Sequence, residues 1–86
     1  MITPEASRAA RGLLNWSLKD LAQFSGLSFT TISQFENGRP PYGSTMAKIA
    51  AAFEAHGVEL VADDDRTGAV LVYARRKPVA DTSDKV

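Results

Sequence analysis

The stretch SLKDLAQFSGLSFTTISQFENG, residues 17–38, decides how the rest of the chain must be arranged, because it carries two short helical patterns joined across one glycine. Ser17 and Asp20 have the spacing of a capping box, in which the serine oxygen accepts from the backbone N–H three residues on and the carboxylate reaches back. A helix therefore starts near Ser17, runs through Leu18, Leu21 and Ala22, and stops at Gly26, since glycine enters the left-handed turn without a Cβ penalty. Ser28 then caps a second helix over 28–37. Advancing 100° per residue gathers Phe29, Thr30, Ser33, Gln34 and Asn37 within roughly 140°, with Ser28, Thr31, Ile32, Phe35 and Glu36 opposite. One face can pack, and the other is free to touch something.

Working outward toward the N-terminus, Trp16 sits just ahead of the Ser17 cap, placed as an apolar staple that fixes how the chain enters the helix. Thr3-Pro4-Glu5 reads as N-cap, first-turn proline and a carboxylate at the positive helix end. The helix that starts there carries Ala6, Ala9, Ala10, Leu13 and Leu14 at i, i+3, i+4, i+7 and i+8, one stripe for the core, with Arg8 and Arg11 off it or at its edge.

Toward the C-terminus, Arg39-Pro40-Pro41-Tyr42-Gly43 is a stiff non-helical connection, because consecutive prolines remove donors and force extended backbone. A further helix follows from Ser44 or Thr45, with Met46, Ile49, Ala50 and Phe53 as its stripe, and ends at His56-Gly57. From Val58 the period changes to two. Val58, Leu60 and Ala62 alternate with Glu59 and Val61, and Ala69-Val70-Leu71-Val72-Tyr73 is a dense β-type run, with a polar connection over 63–68. This predicts a β-hairpin over 58–76. An isolated hairpin is barely stable in water, so one face should pack on the first and last helices. Val70, Leu71, Val72 and Tyr73 make the second strand apolar on both sides, which assigns them to a dimerisation element pairing with a second subunit. Residues 77–86, polar and unpatterned, read as a flexible tail.

At 86 residues the chain is one small domain, a size that buries only about 60 % of its unfolded surface and gains from a second subunit. A hydrophobic fraction of 44 % and a charged fraction of 23 % are ordinary for a globular protein and argue against wholesale disorder. The absence of cysteine excludes disulfides, thiolate catalysis and cysteine-ligated zinc, and fits a reducing, cytoplasmic setting. Glu5, Arg8 and Arg11 interrupt any signal-peptide core, and no uncharged run is long enough to span a bilayer, so no membrane role is expected. His56 is the sole histidine, without a neighbouring carboxylate motif, and there is no glycine-rich phosphate loop. The chain reads as no enzyme, with no cofactor and no metal site. Net charge is +0, but Asp63, Asp64 and Asp65 lie far along the chain from residues 17–38. Residues 1–44 carry Arg8, Arg11, Lys19 and Arg39 against Glu5, Asp20 and Glu36, a weakly positive half.

A helix-glycine-helix unit of this length, with a small alanine where the helices cross, is a helix-turn-helix. The order Leu21-Ala22, Gly26-Leu27-Ser28, Ile32-Ser33, Glu36-Asn37-Gly38 is similar to that of the phage repressor and Cro-like family, also called the xenobiotic response element family, over about Pro4 to Phe53. The resemblance implies a mainly α, lambda-repressor-like DNA-binding domain of four to five helices spanning 1–57, followed here by the C-terminal hairpin. It implies a sequence-specific transcriptional regulator that binds double-stranded DNA as a homodimer on a palindromic operator, with helix 28–37 in the major groove. Phe29, Thr30, Ser33 and Gln34 match the base-reading region. Ser17, Ser28, Asn37, Arg39, Tyr42 and Ser44 match backbone contacts, and Arg11 with Glu36 matches a pair that locks the recognition helix onto the first helix. Position 18 departs from the family, which usually has a phosphate-clamping glutamine where this chain has Leu18. The alternative within the same fold is an antitoxin or partner-binding regulator that masks a toxin or another regulator, using Phe24, the hairpin and the tail, while controlling its own operon.

Overall fold

Four helices precede a single hairpin in the computed structural model, which describes residues 2–41 and 43–76. They are α1 (Pro4–Leu14), α2 (Leu18–Ser25), α3 (Phe29–Glu36) and α4 (Gly43–Glu54), followed by β1 (Val58–Ala62), β2 (Thr67–Leu71) and a single 3-10 turn, Tyr73–Arg75. The tail assigned to 77–86 lies outside the described residues.

Local chemistry sets each boundary. Thr3 caps α1 by accepting from the Ala6 N–H, with Pro4 in the first turn, and Asn15 closes it in the left-handed conformation. The Ser17–Asp20 capping box is complete in both directions, and Gly26 ends α2 at φ 75°. Ser28 caps α3 by accepting from the Thr31 N–H. Gly43 already belongs to α4, so the connection after α3 is one residue shorter than the proline-based reading placed it.

The core joins Ile2, Ala6, Ala10, Leu21, Ile32, Phe35, Ile49, Ala52, Phe53 and Val58. Each of its large side chains contributes about 1.5–3 kcal/mol on burial. The α1 stripe differs from its sequence reading: Ala6, Ser7 and Ala10 are buried, whereas Ala9 and Leu13 are exposed. The cause is Ser7, whose hydroxyl is bonded to Glu36 and turns the inward face of α1 toward α3.

The hairpin also differs. The second strand begins at Thr67 and ends at Leu71, paired antiparallel from Ala62↔Thr67 to Val58↔Leu71. Val72 and Tyr73 lie beyond it, because the chain turns into the 3-10 segment. Its connection is Asp63 to Arg66, where the Asp63 carboxylate accepts from the N–H groups of Asp65 and Arg66 and from the Arg66 guanidinium. The Asp65 N–H, followed by the Arg66 contacts, holds the Asp63 carboxyl below its ordinary value. Thr67 and Gly68 are thereby freed to extend the ladder. The inner face, through Val58, Leu60, Ala69 and Leu71, rests on the core, with α1 against β2 and α4 against β1.

Gly57, at φ +87°, joins α4 to β1, and a Cβ there would meet the Arg75–Arg76 backbone at 2.7–2.9 Å. Gly57→Ala is therefore expected to destabilise by about 2 kcal/mol or more in urea denaturation. Gly12→Ala, in a helix interior with nothing within 4 Å, should stabilise by roughly 0.5–1 kcal/mol in the same measurement.

Candidate nucleic-acid interface

A helix can present side chains to a groove only if its opposite face is held, and α3 is held through its last residue. Glu36 is 6 % exposed. Arg11 meets it in a two-pronged ion pair, Nη2 to Oε1 at 2.7 Å and Nε to Oε2 at 2.9 Å. The buried Ser7 hydroxyl donates to Oε2 at 2.5 Å, and Arg8 Nη1 donates to the Glu36 main-chain carbonyl at 2.5 Å. Arg11 also donates to the Trp16 carbonyl at 3.2 Å, tying the α1–α2 connection into the same cluster. Its pKa is raised, chiefly by the hydrogen bonds to Glu36, against the opposing effect of burial. Ser7 and Arg8 were not singled out from the sequence. The available signal was a serine within an otherwise apolar helix face.

With Ile32, Phe35 and Glu36 buried, Phe29, Thr30, Gln34 and Asn37 are exposed and Ser33 is half-buried. Phe29, at 48 % exposure, offers its ring to solvent from the first turn. Thr31 is half-buried, its hydroxyl bonded to Ser28 at 2.8 Å. Beside this face a shallow groove is lined by Thr31, Gln34, Phe35, Arg39, Pro40, Pro41 and Thr45. It leads from α3 across the connection to the start of α4.

The other residues named from the sequence surround this face unevenly. Ser17 and Ser28 are exposed and serve as helix caps through their oxygens; the Ser17 hydroxyl keeps a proton to donate, and that of Ser28 is shared with Thr31. Arg39 and Ser44 are exposed, at the two ends of the proline connection. Tyr42 lies outside the described residues. Leu18, where the family usually has an amide, packs against the core. Val70 and Tyr73 are exposed, Val72 is half-buried and Leu71 faces the core, all in or beyond β2.

Behind α2, Trp16 stacks on Phe24 with ring centroids 4.5 Å apart and on Phe53 at 5.6 Å. His56 meets Trp16 and Phe24 edge-on, each at 4.8 Å. Its Nδ1 lies 2.9 Å from the Ala52 carbonyl, an acceptor that requires the proton on Nδ1. Phe24 is thus packed through its ring against Trp16 and still 49 % exposed as a residue. Among the described residues no cluster of histidine and carboxylate groups could hold a metal ion, and no helix is long and apolar enough to cross a membrane.

Replacing Glu36 by alanine leaves Arg11 and Ser7 without their partner, and is expected to cost about 3 kcal/mol in chemical denaturation. A loss near zero would show that the cluster does not hold α3 in place.

No curated protein matches the chain significantly. The family model described as helix-turn-helix matches residues 8–60, from the second turn of α1 to the middle of β1 and more than half of the chain. Its members are DNA-binding regulators and are generally not enzymes. The chain belongs to the phage repressor and Cro-like helix-turn-helix family.

Proposed function

We propose that the chain is a sequence-specific transcriptional regulator that binds double-stranded DNA as a homodimer on a palindromic operator, with α3 in the major groove. The observation that carries this reading is the division of α3. Its inner side is fastened by Ile32, Phe35 and the Glu36 cluster, and its outer side presents Phe29, Thr30 and Gln34 with no carboxylate among them. Helix-turn-helix proteins read base edges from the N-terminal part of this helix, while the preceding helix crosses the backbone.

Gln34 carries the geometry for a bidentate bond to adenine, Thr30 can bond a base or meet a thymine methyl, and Phe29 supplies apolar contact only. Ser33, half-buried behind them, is the secondary reader. Ser17, at the N-terminus of α2, and Ser28 donate to phosphate, joined by Asn37, Arg39, Ser44 and Tyr42. Leu18 cannot clamp a phosphate, so each subunit relies on the dimer for affinity. A two-fold dimer places the recognition helices about 34 Å apart, one turn of DNA. A DNA-binding role of this kind places the chain in the cytoplasm.

In the antitoxin reading, Phe24 and the hairpin meet a protein partner. Phe24 is half exposed but already stacked on Trp16, so the reading gains less from it than from a free aromatic side chain. The regulator reading is favoured because it uses the whole outer face of α3.

Thr30→Ala with Gln34→Ala should abolish sequence preference while leaving weak binding that falls steeply with salt. Selection of sites from random DNA at fixed ionic strength measures both. Retention of full preference by the double variant would show that these side chains do not read bases.

A further inference from the structure

The outward side of α3 carries two rows of side chains, successive members of a row lying one turn apart. Thr30 and Gln34 form one row, polar and exposed. Phe29, Ser33 and Asn37 form the other. In this second row Ser33 is half-buried and Asn37 Nδ2 donates to its hydroxyl at 3.5 Å, which leaves an aromatic ring alone at the forward end.

That ring lies outside the core. Phe29 belongs neither to the buried cluster nor to the apolar side chains gathered on it, and among the described residues no aromatic side chain stacks on it. Phe24 is equally exposed but differs in this respect, since Trp16 and His56 hold it. The helix does not call for the ring either, because phenylalanine has only middling helix propensity and Ser28 already supplies the cap.

Side chains on a helix tilt toward its N-terminus, so Phe29, in the first turn, projects from the end of α3 that meets base edges in a helix-turn-helix. A benzene ring neither donates nor accepts a conventional hydrogen bond. Among the groups that base pairs present in the major groove, the apolar one is the methyl on C5 of thymine. Cytosine carries a hydrogen at the same place, and methylation of cytosine at C5 removes the difference.

We infer that Phe29 makes α3 a reader of the C5 methyl group, so that the chain distinguishes methylated from unmethylated cytosine at the base pair its ring meets. This rests on the regulator reading above and adds to it a dependence on the chemical state of the DNA. Thymine or 5-methylcytosine at that pair is bound well, and uracil or cytosine less well. Methylation at C5 leaves every hydrogen-bonding group of the base in place, so Gln34 and the phosphate contacts are unaltered and the change falls on apolar contact. Burial of one methyl corresponds to about fourfold in affinity per half-site, and to roughly fifteenfold over the two half-sites of a palindrome.

The test measures binding of the full chain to duplexes carrying the site selected from random DNA. Each thymine is replaced in turn by uracil and each cytosine by 5-methylcytosine, two changes that alter the methyl alone. At one position in each half-site, loss of the thymine methyl should weaken binding about fourfold, and at that position 5-methylcytosine should bind about fourfold better than cytosine. Phe29→Ala should abolish both differences and Phe29→Leu, which keeps an apolar side chain, should retain them in part, with urea transitions showing that both variants fold. A methyl response that survives in Phe29→Ala would assign it to Thr30 and overturn the inference, as would a selected site indifferent to every methyl. Either result leaves the regulator reading standing. A chain that selects no site at all would overturn both.

Discussion

The fold depends most on one buried carboxylate. Glu36 ends the helix that faces outward, and two successive turns of α1 reach it through Ser7, Arg8 and Arg11. A lone carboxylate at this depth would be strongly unfavourable, so the cluster forms as a unit or not at all. Apolar contacts alone could let α3 rotate about its axis, because hydrophobic packing is not directional. The forked guanidinium on Glu36 fixes the rotation and with it the set of side chains that face outward. Arg11 also bonds the Trp16 carbonyl, so the same residue sets where the chain leaves α1 and where α3 ends.

The aromatic plate acts on α2 in a comparable way. Trp16, Phe24, Phe53 and His56 join the start of α2, its last turn and the C-terminal end of α4. Stacked and edge-on aromatic contacts add about 0.5–1.5 kcal/mol each beyond area burial. That geometry explains an otherwise unfavourable phenylalanine on an exposed helix. One ring face is covered by Trp16 and its edge by His56, so Phe24 supports α2 while half of it remains in water.

Most of the helical frame was legible in the sequence because its boundaries are set locally. The Thr3, Ser17 and Ser28 caps and the Gly26 turn each depend on residues within one turn, and all four operate. The outward face of α3 was legible too, since a helix with Ile32 and Phe35 one turn apart has only one side to bury. What escaped was non-local. Within α1 the one sign that Ser7 replaces Ala9 on the buried face is a serine among apolar neighbours, because its partner is Glu36, in a different helix. The limits of β2 escaped for a similar reason. Val72 and Tyr73 have strong β-propensity, but the Asp63–Arg66 turn and the Arg75–Arg76 backbone over Gly57 determine which residues pair. The end of the ladder follows from tertiary contact, and propensity is secondary to it.

These features form one mechanical path. α1 packs against β2 on one side and grips Glu36 on the other, so the helix that carries the hairpin is the helix that orients α3. In the proposed dimer, the orientation of each recognition helix is then set through its own α1 and by no flexible linker. Rigidity of that kind matters more here than in a relative with a phosphate-clamping amide in place of Leu18. A subunit with few phosphate contacts gains little on binding alone, and a second half-site helps fully only when the two readers are already spaced for it. On the proposed reading, loosening the Glu36 cluster weakens operator binding in two ways, by letting α3 rotate away from the bases and by blurring the spacing between half-sites.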